Sequence, residues 1–415
     1  MRAELVEAAL SAVRRFGSPL YLYDLPRLRE DAVAMRDAFP DPWRRLYSLK
    51  ANGLPGLVRE IVGQGFGASC VSGGELALAE RAGVPAGVTA LEGIGKSEAD
   101  MARAVGLASG GRPLLWVSLE SAEEAAALSA LARGAGARLD VLVRVNPGVT
   151  PETHDGLAVG AAGSKFGVLP EELPVIIHGG GGPQGPLRWR GIHVHVGSQL
   201  GVVDAWRSAF RLGMRLLELQ RAKLPDFDTL DAGGGFPAAL DDATSVPLPA
   251  RFAQEAAAEL EQLPASARPA RLAVEPGRAV VAGCGWLLGK VLHVRQREQP
   301  IVVVDTGMTE IIRPALYGAR HPLRALTSAG RPNLGPAAIQ TLVRMDGPVC
   351  ESTDTLGEAL LPALQRGDVV AIGSAGAYGS AMASTYNGRP RPPEVAWDGE
   401  QVTVLRRRGT VRALP

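Results

Sequence analysis

The sequence of 415 residues is poor in cysteine, which limits how it can be held together. Its three cysteines, at positions 70, 284 and 350, form no CxxC pair. Neither a disulfide framework nor a cysteine-rich zinc site is therefore indicated. Free thiols are typical of a reducing compartment, so we expect a cytoplasmic location.

Excess charge of one sign and long apolar runs are also missing. Lys and Arg total 44 against 43 Asp and Glu, a formal net charge of +1, which gives no field for holding nucleic acid. An apolar run at 279–289 is closed by Arg278 and Lys290, well short of the ~18 residues of a membrane span. The charged N-terminal stretch predicts an amphipathic helix rather than a signal peptide. We therefore expect no nucleic-acid partner and no membrane partner.

What the sequence does have is a regular alternation of short apolar runs with Ala-, Leu- and Glu-rich stretches of helical period. Eight such βα repeats are typical of a TIM-type (β/α)8 barrel, and a doubly wound open sheet is the alternative. The strands are predicted at 46–50, 66–71, 88–92, 114–119, 139–145, 190–196, 227–231 and 272–275. Polar residues directly after these strands favour the barrel, because barrel active sites are built at that end.

After Arg278 the pattern changes to strand-like runs with few helices between them. This change predicts a mainly β domain in the C-terminal third. The early segment PLYLYD (19–24) also has the pattern of a strand, and the pattern alone leaves open which sheet it joins. The predicted strands after Arg278 are 286–294, 301–305, 341–344, 368–372 and 402–405.

Lys50 ends the first predicted barrel strand, in YSLKAN. A lysine in a barrel mouth is expected to be desolvated, which suits its amine to attack a carbonyl and hold a Schiff base. The alternative for a single lysine is a structural ion pair.

The run HVHVGSQ places His193 and His195 on the same side of a strand. Such a pair could bind zinc, but the six histidines include no second H-x-H, no HExxH and no closed ligand set. A flat platform for a planar cofactor, with the second histidine packed nearby, is the better functional interpretation. For His193 a buried core histidine remains the alternative.

Two further motifs supply groups that could bind an anion and a ring nitrogen. Three glycines in 231–237 follow a strand and could cradle a phosphate, with Ser198 as a further donor. In EPGR, Glu275 could keep a pyridine nitrogen protonated and Arg278 could meet a phosphate or carboxylate. With a lysine and a flat platform, these groups describe a pyridoxal phosphate site.

The sequence resembles a known family through twelve motifs in consistent order between residues 18 and 397. They are YSLKAN, SGGEL, RVNPG, SKFG, GIHVHVGSQ, LDAGGGFP, EPGR, DTGM, IIRPALYG, GPVCES, GAYG and YNGRPRPPEV. These are similar to motifs of the alanine-racemase-like barrel enzymes that decarboxylate basic amino acids, and within them of the diaminopimelate decarboxylases. In that family an N-terminal strand joins the C-terminal β domain. The resemblance therefore implies a barrel domain at 25–278 and a β domain made of 1–24 and 279–415.

The resemblance also implies roles for individual residues. Lys50 would bind pyridoxal 5'-phosphate covalently, His195 would stack on its ring and Glu275 would pair with the pyridine nitrogen. Cys350 would protonate the substrate carbon in a homodimer with shared active sites. The other expected cofactor contacts are Ser198, Gly233, Gly234, Gly235, Gly277, Arg278 and Tyr378. The expected substrate contacts are Arg278, Arg313, Tyr317, Glu351 and Tyr378.

The implied reaction is decarboxylation of meso-2,6-diaminopimelate to L-lysine and CO2, the last step of lysine biosynthesis. The alternatives are decarboxylation of carboxynorspermidine, ornithine, lysine or arginine, and a non-catalytic regulatory relative. A racemase ranks lower, because a thiol stands where racemases of this superfamily use a tyrosine. Two departures from the family pattern are Ser69, where an acidic residue is usual, and Ile94, where Asn is frequent.

Overall fold

Short strands and helices alternate along the first two thirds of the chain, as the apolar periodicity predicts. The computed structural model describes residues 1–149, 160, 163–239, 245–333 and 339–413. The chain divides into a barrel unit, 32–237 with 246–279, and a sheet unit, 1–31 with 238–245 and 280–415.

The strands follow one another closely in both units. In chain order they are β1 (Leu20–Asp24), β2 (Arg44–Ser48), β3 (Gly67–Cys70), β4 (Thr89–Leu91), β5 (Trp116–Leu119), β6 (Leu139–Val145), β7 (Leu187–Val194), β8 (Thr229–Asp231), β9 (Arg271–Val274), β10 (Gly285–Arg295), β11 (Ile301–Val304), β12 (Leu323–Ala325), β13 (Thr327–Ser328), β14 (Arg331–Pro332), β15 (Thr341–Asp346), β16 (Thr355–Leu361), β17 (Val369–Ile372), β18 (Glu394–Trp397) and β19 (Val402–Arg406).

Helices are concentrated in the barrel unit, where they separate successive strands. In chain order they are α1 (Ala3–Phe16), α2 (Leu25–Ala38), α3 (Pro55–Val62), α4 (Gly73–Arg81), α5 (Glu98–Ser109), α6 (Ala122–Gly134), α7 (Leu173–Gly179), α8 (Asp204–Arg221), α9 (Pro249–Glu261), α10 (Arg278–Val281) and α11 (Arg313–Tyr317). Across the described ranges, none of them is both long and apolar enough to cross a membrane.

Strands β2 to β9 form a closed barrel of parallel strands, in which β9 pairs with β2. The predicted barrel is confirmed and the open-sheet alternative is wrong, because an open sheet has no such closing pair. Four of the eight barrel strands, β3, β4, β5 and β8, are buried along their whole length, and six of the seven residues of β6 are buried. Burial on both faces explains why these strands appear in the sequence as continuous apolar runs.

Serine side chains determine where two of the barrel helices begin. Ser97 accepts the backbone N–H of Asp100, and the Asp100 carboxylate accepts that of Ser97, which completes a capping box on α5. Ser121 accepts the N–H of Glu124 at the start of α6. Each cap satisfies N–H groups that a helix start leaves unpaired. The caps thereby fix the loops that follow β4 and β5.

The sheet unit contains a mixed sheet in the order β16-β15-β11-β10-β1-β18-β19, with β17 paired to β10 and β12. In it β1 lies antiparallel to β10 and parallel to β18, and all five of its residues are buried. The predicted mainly β domain, including its N-terminal strand, is confirmed. Strands β12, β13, β14, β16 and β18 were not predicted. The amphipathic α1 packs its apolar face on this sheet through Leu5, Val6, Ala9, Leu10 and Val13.

Candidate active site

Lys50 lies at the barrel mouth, which we define as the carboxyl ends of β2 to β9 with the loops that follow them. It is the middle residue of a 3₁₀ turn directly after β2. Leu49 and Ala51 take the buried positions of this turn, so Lys50 is exposed and the desolvation expected from the sequence is wrong. Its positive charge acts on both His195 and Glu275, which places the three groups within electrostatic reach of one another.

His195 follows β7 and is half-buried. Its Nδ1 accepts the backbone N–H of Gly234 at 3.0 Å. Burial, and next the positive charges of Lys50 and Arg144, lower the pKa of His195 well below its usual value. The imidazole is therefore neutral and fixed in orientation, and it can offer a flat face to a planar ring.

His193 lies within β7, between two buried carboxylates. Its Nδ1 is 2.9 Å from Glu92 Oε2, and its Nε2 is 3.2 Å from Glu275 Oε2. Burial alone would lower the pKa of His193, but the charges of Glu92 and Glu275 raise it well above its usual value. The contact of His193 with both carboxylates was not predicted, because the sequence pattern does not show that Glu92 and Glu275 converge on one imidazole. The cationic form of His193 is therefore favoured between them.

Glu275 follows β9 and differs from its neighbour Asp231 in charge. Burial opposes ionisation of Glu275, but the adjacent charged His193 lowers the pKa of this carboxyl below its usual value. Burial, and next the charge of Glu275, raise the pKa of Asp231 well above its usual value. In the part of the chain that the structure describes, Glu275 Oε1 is buried and has no hydrogen-bond partner. A carboxyl group whose ionised form is favoured, with an open oxygen, thus lies beside one whose neutral form is favoured.

The three glycines after β8 are required by close approach of the backbone. Gly233 has φ +67°, and a Cβ there would lie 2.3 Å from the carbonyl oxygen of Val194. A Cβ on Gly234 would lie 2.5 Å from the carbonyl oxygen of Glu275, and Gly235 has φ +104°. Side chains would clash or be strained at these positions, so the loop presents bare backbone to the barrel mouth.

The EPGR motif brings a buried cation to the same end of the barrel. Arg278, 3% exposed, donates from Nη2 and Nε to Ser198 Oγ at 3.0 and 3.3 Å. A Cβ on Gly277 would lie 3.1 Å from Cβ of Ala51, so the motif packs against the turn that carries Lys50. The predicted residues of the barrel domain are therefore gathered at one mouth.

The groups at this mouth fit pyridoxal phosphate. The open carboxylate oxygen of Glu275 can hold a protonated pyridine nitrogen, and the neutral ring of His195 can lie against the cofactor ring. The exposed amine of Lys50 is available to the aldehyde, and Arg278 with the glycine loop can receive the phosphate.

Cys350 and Glu351 lie in the sheet unit, on the loop between β15 and β16. Both side chains are exposed in the single chain. Glu351 Oε1 accepts the hydroxyl hydrogen bond of Tyr386 at 2.7 Å. Tyr386 was not predicted as a site residue, although the motif YNGRPRPPEV contains it.

A buried aspartate, Asp354, organises this loop. Its Oδ1 accepts the N–H of Met308 at 2.6 Å, and its Oδ2 accepts that of Val349 at 2.7 Å. Its backbone N–H in turn donates to the carbonyl of Glu351 at 3.0 Å. Asp354 was not predicted as a site residue, and its position four residues after Cys350 is the one signal that the sequence offers. The segment that presents Cys350 is thus tied to one carboxylate.

The other predicted substrate contacts also lie in the sheet unit. Arg313 begins α11, is 4% exposed and contacts His321 Nε2 from Nη1 at 3.3 Å. Tyr317 ends the same helix and is half-buried. Tyr378 has φ +57°, a left-handed conformation that costs energy in a side-chain-bearing residue and tends to occur at functional positions.

Comparison with known proteins assigns the family. The family model "Pyridoxal-dependent decarboxylase, pyridoxal binding domain" matches residues 25–282. A diaminopimelate decarboxylase of Deinococcus radiodurans is 38% identical over 409 residues, 97% of this chain and 96% of that protein. One of Aquifex aeolicus is 34% identical over 395 residues, 95% of this chain and 90% of that protein.

Solved structures agree with these relatives. Diaminopimelate decarboxylase from Helicobacter pylori, complexed with L-lysine, has a TM-score of 0.88 at 30% identity, and the match covers 97% of each chain. Lysine/ornithine decarboxylase from Vibrio vulnificus, complexed with putrescine, has a TM-score of 0.78 at 26% identity, covering 96% of this chain and 99% of that one. The chain belongs to the diaminopimelate decarboxylase family of pyridoxal-dependent decarboxylases.

Proposed function

We propose that the protein decarboxylates meso-2,6-diaminopimelate to L-lysine and CO2 with pyridoxal 5'-phosphate as its cofactor. The observation that carries the proposal is the ionised Glu275 with its open oxygen, beside neutral His195, in a chain similar to diaminopimelate decarboxylases over 97% of its length. The L-lysine bound to the Helicobacter pylori relative corresponds to the product of this reaction.

The barrel residues have distinct parts in the reaction. When bound, pyridoxal phosphate supplies an aldehyde for the substrate amine and a ring that takes up the electron pair released as CO2 leaves. Lys50 would hold the cofactor through its amine. Glu275 would keep the proton on the pyridine nitrogen, and His195 would pack on the ring and fix its plane. We assign the phosphate to Ser198, Arg278, Gly277 and the glycines at 233–235.

The sheet unit supplies the substrate contacts and the acid. Diaminopimelate carries a carboxylate and an ammonium at its far end, and a cationic Arg313 with an anionic Glu351 complements that pair. An arginine is poorly suited to the bare ammonium tail of ornithine or lysine. Tyr317 and Tyr378 complete the contacts, and Arg278 can share in them. The Cys350 thiol donates the proton that replaces the departed carboxylate.

We further propose a cytoplasmic homodimer in which each active site uses residues of both chains. The exposure of Cys350 and Glu351 on a loop supports this, because an acid that protonates carbon needs a surface that closes over it. We assign cofactor binding to residues 25–278, and the dimer and substrate contacts to 1–24 with 279–415.

The decisive measurement is CO2 release from meso-diaminopimelate, lysine, ornithine, arginine and carboxynorspermidine by the purified protein loaded with pyridoxal phosphate. We expect kcat/KM to be highest for diaminopimelate by at least ~100-fold, since a mismatched buried charge costs several kcal/mol. Preference for any other substrate in this panel would overturn the substrate assignment and leave the family unaffected.

A further inference from the structure

Glu92, His193 and Glu275 form a linear chain of charges inside the barrel mouth, and no role for Glu92 follows from the reaction described above. Glu92 follows β4, His193 lies in β7 and Glu275 follows β9, so three separate strands bring them together. Their side chains are 4%, 2% and 6% exposed. Water therefore screens their charges little, and each contact counts for more than it would at a surface.

One end of this chain is anchored. Trp116, on β5, donates from Nε1 to Glu92 Oε1 at 3.0 Å, which leaves Glu92 Oε2 facing His193 Nδ1 at 2.9 Å. Ser118 Oγ also lies 2.9 Å from that nitrogen. The imidazole is thus fixed on its Nδ1 side by groups from two neighbouring strands.

The other end of the chain is open. His193 Nε2 lies 3.2 Å from Glu275 Oε2, while Glu275 Oε1 is buried with no hydrogen-bond partner in the described residues. A buried carboxylate oxygen without a partner is costly, and its persistence points to a ligand group that meets it. The other titratable groups acting on this site are the positive Lys50, the neutral His195, and Asp231, whose pKa is raised by burial. Glu92 supplies the second negative charge that allows His193 to stay cationic beside Glu275.

We propose that Glu92 is a positioning residue for cofactor binding: through a doubly protonated His193 it holds Glu275 ionised, with Oε1 turned toward the pyridine nitrogen. This rests on the cofactor role proposed for Glu275. Without Glu92, Glu275 would be the one carboxylate of this chain of charges left to favour the cationic form of His193. A neutral His193 could no longer fix the charge or the orientation of Glu275.

The test compares Glu92→Gln and Glu92→Asp with a matched control, Glu120→Gln. Glu120 is also buried and follows the adjacent strand β5, but it pairs with Arg144 at 2.9 Å instead of with His193. Both glutamines remove one buried carboxylate from the barrel, so any loss of stability should be similar. The Asp variant keeps the charge on a shorter side chain.

The first readout is the protonation of His193 in the cofactor-free protein, measured by ¹⁵N-histidine NMR. The His193 signals are identified by their loss in His193→Gln. We expect both ring nitrogens to be protonated at pH 7 in the wild type, and Glu92→Gln to lower the titration midpoint by at least about one pH unit. Glu92→Asp should recover part of this change, and Glu120→Gln should leave the midpoint where it is.

The second readout is cofactor binding and turnover. We expect Glu92→Gln to weaken pyridoxal phosphate binding by about tenfold, measured by quenching of tryptophan fluorescence, because it loosens Glu275. The same change should lower kcat by roughly 10- to 100-fold with KM within about threefold, since the lost contact acts on the chemical step. Glu120→Gln should change cofactor affinity by less than about threefold.

Three results would overturn the proposal. They are a neutral His193 at pH 7 in the wild type, a midpoint in Glu92→Gln that moves no further than in Glu120→Gln, and stoichiometric binding of Zn²⁺ by the three side chains. The last is a real alternative, because their ligand atoms all lie within 4.8 Å of one another. The NMR readout needs neither cofactor nor substrate. Absence of diaminopimelate decarboxylation would therefore refute the proposed function and leave this result to be judged separately.

Discussion

The barrel mouth and the loop that carries Cys350 hold their functional groups in opposite ways. At the barrel mouth, His193, Glu275 and Arg278 are buried and contact one another or their neighbours across several strands. On the loop, Cys350 and Glu351 are exposed and the segment depends on the single carboxylate of Asp354.

This difference teaches where each part of the site is preorganised. Closed barrels bring strand ends together through the fold itself, so a charge network there persists without a ligand. A side chain on an exposed loop becomes fixed in position and shielded from water only when another surface covers it. The barrel groups are thus held in place within one chain, whereas in the proposed homodimer the loop that carries Cys350 would be covered by the second chain.

The largest expected effect is at the barrel mouth. Lys50→Ala should lower kcat for decarboxylation by at least ~10³-fold, equivalent to about 4 kcal/mol in the barrier, and remove the visible absorbance band of cofactor held through this lysine. Steady-state kinetics and absorbance spectra measure both effects. The exposed Lys223→Ala is the control and should behave as the wild type. Retention of the band in Lys50→Ala would disprove the assignment.

Activity lost by substitution of Cys350 should be partly restored in mixed dimers. Cys350→Ala should lower kcat by roughly 10²- to 10⁴-fold, the usual contribution of a general acid. Mixing Cys350→Ala with Lys50→Ala should restore roughly a quarter of the wild-type activity, because half of the dimers are hybrids with one intact site each. Each variant mixed with itself serves as the control. If subunits exchange and no activity returns, the shared site is wrong.

Substitution of Asp354, the carboxylate that anchors the loop, should lower the stability of the protein. Asp354→Asn loses charge-assisted acceptors for buried N–H groups, so we expect the free energy of unfolding to fall by about 1–3 kcal/mol. Urea denaturation followed by circular dichroism measures the loss. The control is Asp346→Asn, whose carboxylate pairs with the partly exposed Arg344 and should cost less than about 1 kcal/mol. Equal losses of unfolding free energy in the two variants would contradict the assignment of Asp354 as the anchor of the loop.

The smallest expected effect concerns the exposed pair on the loop. Tyr386→Phe removes the hydrogen bond to Glu351 and should leave the free energy of unfolding within about 0.5 kcal/mol, because both groups are exposed. If Glu351 binds the substrate ammonium, KM for diaminopimelate should change by roughly threefold to tenfold while kcat stays close to wild type. A change in stability without a change in KM would make the pair purely structural.

Most of the barrel could be predicted from the sequence, because its strands are short apolar runs and most of them are followed closely by a polar residue. The strand predicted at 139–145 has the bounds of β6, and the other predicted strands overlap those of the barrel. In the sheet unit, β16 was missed because its sequence, TLGEALL, has the Leu, Glu and Ala content typical of helices. It is a strand because it pairs with β15 along its length, and such pairing overrides local propensity.

The candidate site was predictable where a motif carries its own chemistry, as with Lys50, Glu275 and the glycines. The charged state of His193 was not predictable, because it depends on two acids distant in sequence that the barrel brings to one imidazole. The exposure of Lys50 was also missed, since a motif gives a residue type but not the neighbours that bury it. Why Ser69 stands where an acidic residue is usual has no explanation in the structure.

Strand β1 also sets an order of events during synthesis. Residues 20–24 emerge from the ribosome early, yet their place in the sheet lies between β10 and β18, and β18 is made only at residues 394–397. Until β10 is made at residues 285–295, this apolar segment lacks both of its neighbours, so it stays unpaired for most of translation. The growing chain should therefore need protection by a chaperone until its last strands arrive, and removal of either end should unravel the same sheet.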